Sequence, residues 1–278
     1  MVITMSMSNE NERQCLSMGS DSKTGFEDLD VVLGGLKKGD LYLLAARPEM
    51  GRTALALNIA RHSALCCDKA IVIFSLEMSA IQMADRITLM GTGGNRPHFY
   101  YSNIYDESTS LAGILPKDTV NWGKFDLIIN DIPAITYKEL QSRCNAYRKG
   151  TELGLVVIDY LQLMSDYSYK EVAKNERLAY SLKKLAEELN VPVIVLSQMS
   201  RVVDYRPDHR PELEDLNHFG KMEQYADVVI LLYRPGYYRE DVAPRDLTEV
   251  IVAKNIDGAT GIVKLRYIKE CVSFQNYE

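Results

Sequence analysis

A short segment between an apolar run and a helical pattern carries the residue types of a phosphate-binding loop. The run Leu41–Ala46 predicts a buried strand, and Thr53–Leu65 predicts the helix after it. The joining segment reads Ala46, Arg47, Pro48, Glu49, Met50, Gly51, Arg52 and Thr53. Loops of the pattern G-x-x-x-x-G-K-[ST] hold phosphates with backbone N–H groups and magnesium with the final hydroxyl. Because Ala46 and Arg52 replace the first Gly and the Lys, the segment alone fits an ordinary strand-to-helix turn equally well.

Three polar residues at the ends of other predicted strands favour the phosphate-binding interpretation. Each of three apolar runs is followed, within one or two residues, by a polar residue: Glu77, Asp159 and Gln198, respectively. In a parallel α/β sheet, ligands bind beyond the carboxyl ends of the strands, so these side chains and the loop would converge on one crevice. Each also has a structural interpretation, since Glu77 could cap the following helix and Asp159 could begin a turn. Together they suit a nucleotide, its metal ion and an attacking water.

The elements that must position these residues alternate between strands and helices. Predicted strands are Leu41–Ala46, Ala70–Leu76, Asp126–Asn130, Leu155–Ile158, Val191–Leu196, Val228–Tyr233, Glu249–Ala253 and Ile262–Ile268. Predicted helices are Thr53–Leu65, Ala80–Met90, Tyr137–Arg148 and Glu176–Leu189. This order predicts an α/β fold whose mostly parallel sheet is flanked by helices. The turn at Asp257 and Gly258 predicts a C-terminal antiparallel hairpin.

The chain divides into a tail and one domain. Residues 1–22 are polar and without periodicity, which predicts a flexible N-terminal tail, and residues 23–278 form the predicted domain. Residues 91–124 are too irregular to assign. Their tyrosines Tyr100, Tyr101 and Tyr105 would either stack on bases or pack within that segment.

Composition narrows the class of protein. A net charge of -6 and a pI near 5.4 argue against a protein that coats nucleic acid through bulk charge, although a local basic loop remains possible. The five cysteines form no CxxC pair, which is typical of reduced thiols in a cytoplasmic protein. The chain shows no signal peptide and no apolar run long enough to span a membrane.

The set and order of motifs resemble the motor domain of DnaB-type replicative DNA helicases, a RecA-like P-loop ATPase, over roughly residues 23–270. The phosphate loop matches with Ala in place of its first Gly. Further matching segments are Thr24–Phe26, Gly34–Leu36, Gly39–Leu41, Ser75–Met78, Asp159–Met164, Ser197–Arg201, Arg210–Leu213, Asp215–Leu216, Glu223–Asp227 and Ala253–Asn255. The Arg210–Asp227 series argues against the other fold relative considered, a RecA-type recombinase.

This resemblance implies ligands and roles for individual residues. ATP and Mg2+ would bind at the loop, with Thr53 and Asp159 ordering the metal. Glu77 would polarise the attacking water, Gln198 would sense the γ-phosphate, and Lys254 would reach the nucleotide of a neighbouring subunit. Loops around residues 199–220 would face single-stranded DNA in a ring; the candidate contacts are Arg201, Arg206, Arg210 and Gly220. Self-association and association with other replication proteins are further expectations, and no membrane partner is expected.

Four departures from the family pattern shape the expected activity. Arg52 replaces the phosphate-loop Lys, and Ile256 stands where the family has an Arg that acts in trans as an arginine finger. Asn217, His218 and Phe219 replace Arg-Glu-Ser in a DNA-facing loop, and residues 1–22 resemble neither the collar domain nor the linker helix. We expect a divergent, largely monomeric ATP-binding protein with impaired hydrolysis. The alternative is a non-hydrolysing, nucleotide-binding accessory protein on the helicase fold.

Overall fold

The computed structural model describes residues 2–5, 23–67, 69–91, 127–219, 221–239, 241 and 244–277. The strands are β1 Val2–Met5, β2 Leu41–Ala46, β3 Ala70–Ser75, β4 Leu127–Asn130, β5 Leu153–Asp159, β6 Val193–Gln198, β7 Val228–Tyr233, β8 Leu247–Asn255, β9 Gly261–Ile268 and β10 Ser273–Asn276. The helices are α1 Glu27–Leu33, α2 Arg52–Cys66, α3 Ala80–Gly91, α4 Tyr137–Gly150, α5 Val172–Leu189, α6 Met222–Tyr225 and α7 Pro235–Tyr238.

These strands form one sheet with the order β1-β4-β3-β5-β6-β2-β7-β8-β9-β10. The six strands from β4 to β7 in this order are mutually parallel, and β1, β8, β9 and β10 extend the two sides in antiparallel pairing. Strands β2 to β5 are buried along their whole length, which explains their continuous apolar runs. The predicted fold and the antiparallel C-terminal hairpin are confirmed.

Helices cover both faces of the parallel sheet. Buried side chains of α1, α2 and α3 belong to one apolar core, and those of α4, α5 and α6 belong to the other. Helix α5 shows why its pattern is readable from sequence: Leu178, Leu182, Leu185 and Leu189 lie on one face and all are buried. Among the described residues, no helix has both the length and the apolar run that crossing a bilayer requires.

Each predicted strand and helix is present, with bounds that differ by a few residues. The sequence patterns did not predict α1 and β10, because seven and four residues are too few to show a periodicity. Nor did they predict β1, which lies inside the segment 1–22 that was expected to be a flexible tail. Val2–Met5 pairs antiparallel with β4, and such pairing depends on a distant partner strand. The unassigned stretch after Gly91 and its three tyrosines lie outside the described residues.

One lysine of α5 ties the start of two central strands to the helix layer. Lys183 donates to Asp227 Oδ2 at 2.7 Å and to the Gly39 carbonyl at 2.9 Å. Asp227 Oδ2 also accepts from the Leu41 backbone N–H at 2.7 Å. Asp40 lies 4.0 Å from the Lys183 ammonium. Burial and the neighbouring Asp227 raise the pKa of Asp40, so the lysine compensates two carboxylates that are close together.

Replacing Lys183 by Met should lower the free energy of unfolding by about 2–3 kcal/mol, below the range for a fully buried pair because both partners keep some solvent contact. The substitution leaves Asp40 and Asp227 without their shared cation. Lys184→Met is the matched control on the same helix, since Lys184 pairs with Glu187 at the surface; its effect should stay within about 0.5 kcal/mol. Urea denaturation measures both, and equal losses would contradict this assignment.

Candidate functional site

The predicted phosphate loop joins β2 to α2 through a tight, partly left-handed turn. Glu49 has φ 66° and Gly51 has φ 96°, and the Leu55 N–H donates to the Gly51 carbonyl at 2.9 Å as the helix begins. A Cβ on Gly51 would lie 2.6 Å from Phe274 Cζ, a ring carried by β10. Position 51 therefore requires glycine for two reasons, its backbone conformation and the aromatic ring against it.

The loop opens onto a crevice of about 420 Å³ at the carboxyl ends of the parallel strands. Of the eight predicted loop residues, six line it, while Ala46 and Met50 are buried beneath. The lining residues are Arg47, Pro48, Glu49, Gly51, Arg52, Thr53, Ala54, Glu77, Arg86, Tyr160, Gln198, Tyr267 and Val272. The loop thus meets residues from β6 and from the segments that follow β3 and β5, as the strand-end argument predicts.

The two residues expected to order magnesium are in direct contact. The Thr53 hydroxyl donates to Asp159 Oδ2 at 2.8 Å, which connects the first turn of α2 to the end of β5. Asp159 is 1% exposed, and its Oδ1 has no hydrogen-bond donor among the described residues. Burial raises the pKa of Asp159, against the opposing effects of the Arg52 charge and the Thr53 hydrogen bond. A hydroxyl beside a carboxylate oxygen without a partner fits a hard divalent cation that prefers oxygen ligands.

Arg52 places a positive charge in the wall of the crevice. Its guanidinium carbon lies 4.8 Å from the centroid of the Tyr160 ring. The Nε and Nη1 atoms are buried and have no acceptor among the described residues. Burial lowers the pKa of Arg52, while the charges of Asp159 and Glu77 oppose that shift. Buried N–H donors without a partner are costly, so this cation fits an anionic ligand such as a phosphate group.

Gln198 and Glu77 are two further predicted residues that line the crevice, whereas Asp159 is buried and is not part of the lining. Gln162, buried beside β6, accepts from the Gln198 backbone N–H at 3.1 Å and donates to the Gln198 carbonyl at 3.1 Å. This amide clamp fixes the backbone of Gln198 and leaves its side chain to face the crevice. Glu77 is exposed at the rim. Gln162 lies inside the matching segment Asp159–Met164, but the sequence pattern predicts no role for it; its amide side chain is the one available signal.

Arg86 is a crevice residue that sequence reasoning missed. It lies on α3 and contributes a third guanidinium to the lining, beside those of Arg47 and Arg52. Its charge acts to lower the pKa of Asp159. A lone arginine within a helical pattern gives no signal by itself, because most such residues point into solvent. Only the packing of α3 against α2 and β4 brings it to the same crevice as the phosphate loop.

Lys254 does not line the crevice. Its ammonium donates to the carbonyls of Glu223 at 2.8 Å, Gln224 at 3.2 Å and Ala226 at 2.6 Å, and so caps the end of α6. Burial lowers the pKa of Lys254, with Asp227 and Glu223 opposing that effect. The lysine is therefore held by carbonyls of its own chain. Two residues further on, Ile256 is 59% exposed.

The loop after β6 is attached to the phosphate loop by an arginine. Arg47 donates to both carboxylate oxygens of Asp204, at 3.0 and 2.6 Å, and to the Met199 carbonyl at 3.0 Å. Asp204 belongs to the 3₁₀ turn Arg201–Tyr205, whose Arg201, Val202 and Tyr205 are exposed. The side chain of Arg47 therefore points toward the predicted DNA-facing loop, where its charge is already paired.

Two of the candidate DNA contacts are engaged in ion pairs within the chain. Arg206 forms a two-pronged contact with Asp215 at 2.6 and 2.9 Å. Arg210 pairs with Glu249 and lies over the Tyr233 ring at 5.3 Å. Arg201 is exposed, in contrast. Gly220 lies outside the described residues, as do the side chains of residues 217–219.

In sequence, residues 22–276 match the model of a protein family, the DnaB-like helicase C terminal domain. The chain is 38% identical to the replicative DNA helicase DnaB of Geobacillus stearothermophilus, over 92% of this chain and 56% of that protein. It is 38% identical to the replicative DNA helicase DnaC of Bacillus subtilis (strain 168), with the same coverage of both chains. The chain therefore spans about half the length of these relatives.

Solved structures agree with these sequence matches. A solved ATPase domain superimposes with a TM-score of 0.79 at 32% identity, over 93% of this chain and 92% of that chain. A DnaB-like replicative helicase, described together with its interactions with primase, gives 0.80 at 32% identity over 93% and 62%. The RadB recombinase, with a TM-score of 0.58 and 18% identity, shares the fold alone. The chain belongs to the family of DnaB-like helicase C-terminal domains.

Proposed function

We propose that this chain binds ATP with Mg2+ at the loop Ala46–Thr53, acts on single-stranded DNA, and hydrolyses ATP slowly. One observation carries the proposal. The Thr53 hydroxyl contacts the buried Asp159 carboxylate, beside two buried Arg52 N–H groups that have no acceptor among the described residues. An anion with a divalent cation satisfies both sets of atoms. The relatives, replicative DNA helicases by name, supply the expectation of DNA as the second ligand.

Phosphate binding would rest on the backbone more than on any side chain. Among the described residues no side chain caps the N-terminus of α2, whose first N–H groups have no partner within a helix, and its first turn follows directly from the loop. Arg52 adds the charge that Lys supplies in the general pattern. Its guanidinium is planar and forked, so it binds phosphate through two directed N–H bonds instead of as a compact point charge. Affinity for nucleotide therefore survives the exchange of Lys for Arg.

Thr53 and Asp159 are the residues that would hold Mg2+. The ion supplies positive charge that neutralises the β- and γ-phosphate oxygens when it is bound. Glu77, which lines the crevice, would accept a proton from an attacking water. Gln198 presents its amide from the clamped end of β6, where it would hydrogen-bond to the terminal phosphate or to the water.

The site lacks a positive charge that would stabilise the transition state of hydrolysis. Ile256 replaces the arginine finger of the family and carries no charge. Lys254 would have to leave three carbonyls of its own subunit to reach a neighbour's nucleotide. Fingers are worth about 10³–10⁵ in rate, or roughly 4–7 kcal/mol of transition-state stabilisation. Slow hydrolysis follows from this loss.

Single-stranded DNA would meet the exposed side of the turn Arg201–Tyr205. Arg201 offers charge for a phosphate, and Tyr205, which is 86% exposed, offers a ring for base stacking. Arg206 and Arg210 would support the loop through their ion pairs with Asp215 and Glu249. Arg47 connects this turn to the phosphate loop through hydrogen bonds to Asp204 and Met199. The DNA-binding turn and the nucleotide site would therefore be joined by a direct contact.

Replacing Thr53 by Ala should reduce the magnesium dependence of nucleotide binding. The unmodified chain should bind a fluorescent ATP analogue saturably, and added Mg2+ should tighten that binding. Thr53→Ala removes the hydroxyl and should abolish most of the tightening, while Thr260→Ala, at an exposed position away from the crevice, should behave as the unmodified chain. Fluorescence titration with and without Mg2+ makes the measurement. No saturable binding at millimolar analogue would overturn the proposed function.

Hydrolysis should be very slow and hardly stimulated by single-stranded DNA. Arg52→Lys should recover part of the rate, because a compact ammonium fits between phosphates. Ile256→Arg added to it should recover more than either change alone. A phosphate-release assay with and without DNA compares the four proteins. Turnover of several per second by the unmodified chain, with DNA stimulation, would contradict the impaired-site proposal.

The alternative function is a nucleotide-binding accessory protein that does not hydrolyse ATP. The observation in its favour is the same pair of exchanges, Arg52 and Ile256. The phosphate-release assay separates the two, since nucleotide binding without any turnover, even with both charges restored, would favour the accessory protein.

A further inference from the structure

The arginine of the phosphate loop lies over an aromatic ring. The Arg52 guanidinium carbon is 4.8 Å from the Tyr160 ring centroid, within the range of a cation–π contact. Both residues line the crevice, and Tyr160 is half-buried. Tyr160 follows Asp159 directly, so its position is fixed by the end of β5. The ring is thus a wall of the crevice against which the guanidinium lies.

Without such a wall, the two acidic residues of the site would compete for the arginine. Asp159 and Glu77 are close enough for their charges to act on Arg52. An arginine fork matches a carboxylate in two parallel hydrogen bonds, and such a pair would neutralise the groups needed for Mg2+ and for the water. Yet Nε and Nη1 of Arg52 bond to neither carboxylate and remain without an acceptor in the described part of the chain.

Lysine, the residue of the general pattern, does not create this problem to the same degree. Its ammonium is a compact charge on a flexible stem and has no flat face that must be oriented. Arginine has a planar head whose N–H groups bond only in their own plane. Its direction therefore determines whether it meets a phosphate or a carboxylate, and a ring against one face sets that direction.

We propose that Tyr160 is a positioning residue for Arg52: its ring holds the guanidinium against the crevice wall so that the buried N–H groups meet the nucleotide's phosphates. The ring and the arginine together take the place of the phosphate-loop lysine. This inference rests on the proposed function, since it presupposes that phosphate binds at this loop.

A double-mutant cycle in the full chain tests the proposal. Tyr160→Leu should weaken binding of a fluorescent ATP analogue with Mg2+ roughly tenfold when residue 52 is Arg, from the energy of a partly desolvated cation–π contact. In the Arg52→Lys background, the same change should cost less than about twofold. Tyr160→Phe keeps the ring and should bind as the unmodified chain does. Tyr160→Met serves as a second ring deletion if Tyr160→Leu does not fold.

The control is another aromatic residue of the same crevice. Tyr267→Leu removes a ring that lies under the guanidinium of Arg234, at 4.2 Å, so any loss should be the same with Arg or Lys at position 52. Equal losses for Tyr160→Leu in both backgrounds would show that the ring contacts the nucleotide directly, and would overturn the proposal. No loss in either background would overturn it as well. Failure of every protein, including Arg52→Lys, to bind nucleotide would instead remove the proposed function itself.

Discussion

The contact between the Thr53 hydroxyl and the Asp159 carboxylate organises this molecule. Thr53 lies in α2, the helix that follows β2, and Asp159 ends β5; in the sheet β6 lies between β2 and β5. The first turn of α2 must therefore pass over the end of β6 to bring Thr53 onto Asp159. A buried carboxylate is costly without a donor or a cation, so this hydrogen bond limits where the helix can begin. The crevice, the direction of the loop and the position of Arg52 follow from it.

The exchange of Lys for Arg at position 52 changes the chemistry of the phosphate loop more than the backbone structure of the loop. The loop retains its left-handed positions at Glu49 and Gly51, and the backbone groups at the helix N-terminus remain available. Arg52 then introduces a larger, directional cation next to two acidic residues, and the structure places a tyrosine ring against it. The exposed Ile256 removes a different charge, one that the family delivers from a neighbouring subunit. Under the proposed function, the first exchange acts on nucleotide binding and the second acts on turnover.

Much of this site is readable from sequence because it depends on strand ends. Glu77, Asp159 and Gln198 follow apolar runs, and parallel strands bring their carboxyl ends together whatever the details of packing. The pattern does not reveal which charges are already paired. Arg206 and Arg47 find their carboxylates only when the loops fold against each other, and Lys254 is held by carbonyls of the short helix α6. Short elements such as α1 and β10 are not predicted because they have too few residues to show a periodicity.

The measurement that tests the central claim most directly is a crystal structure of the chain with a non-hydrolysable ATP analogue and Mg2+. The triphosphate should lie over the loop Ala46–Thr53, with the Arg52 guanidinium bonded to phosphate oxygens and still against the Tyr160 ring. The metal should contact the Thr53 hydroxyl on the side of Asp159. A crevice without nucleotide at saturating analogue, or an Arg52 bonded to Glu77 or Asp159 with the phosphates elsewhere, would contradict the account.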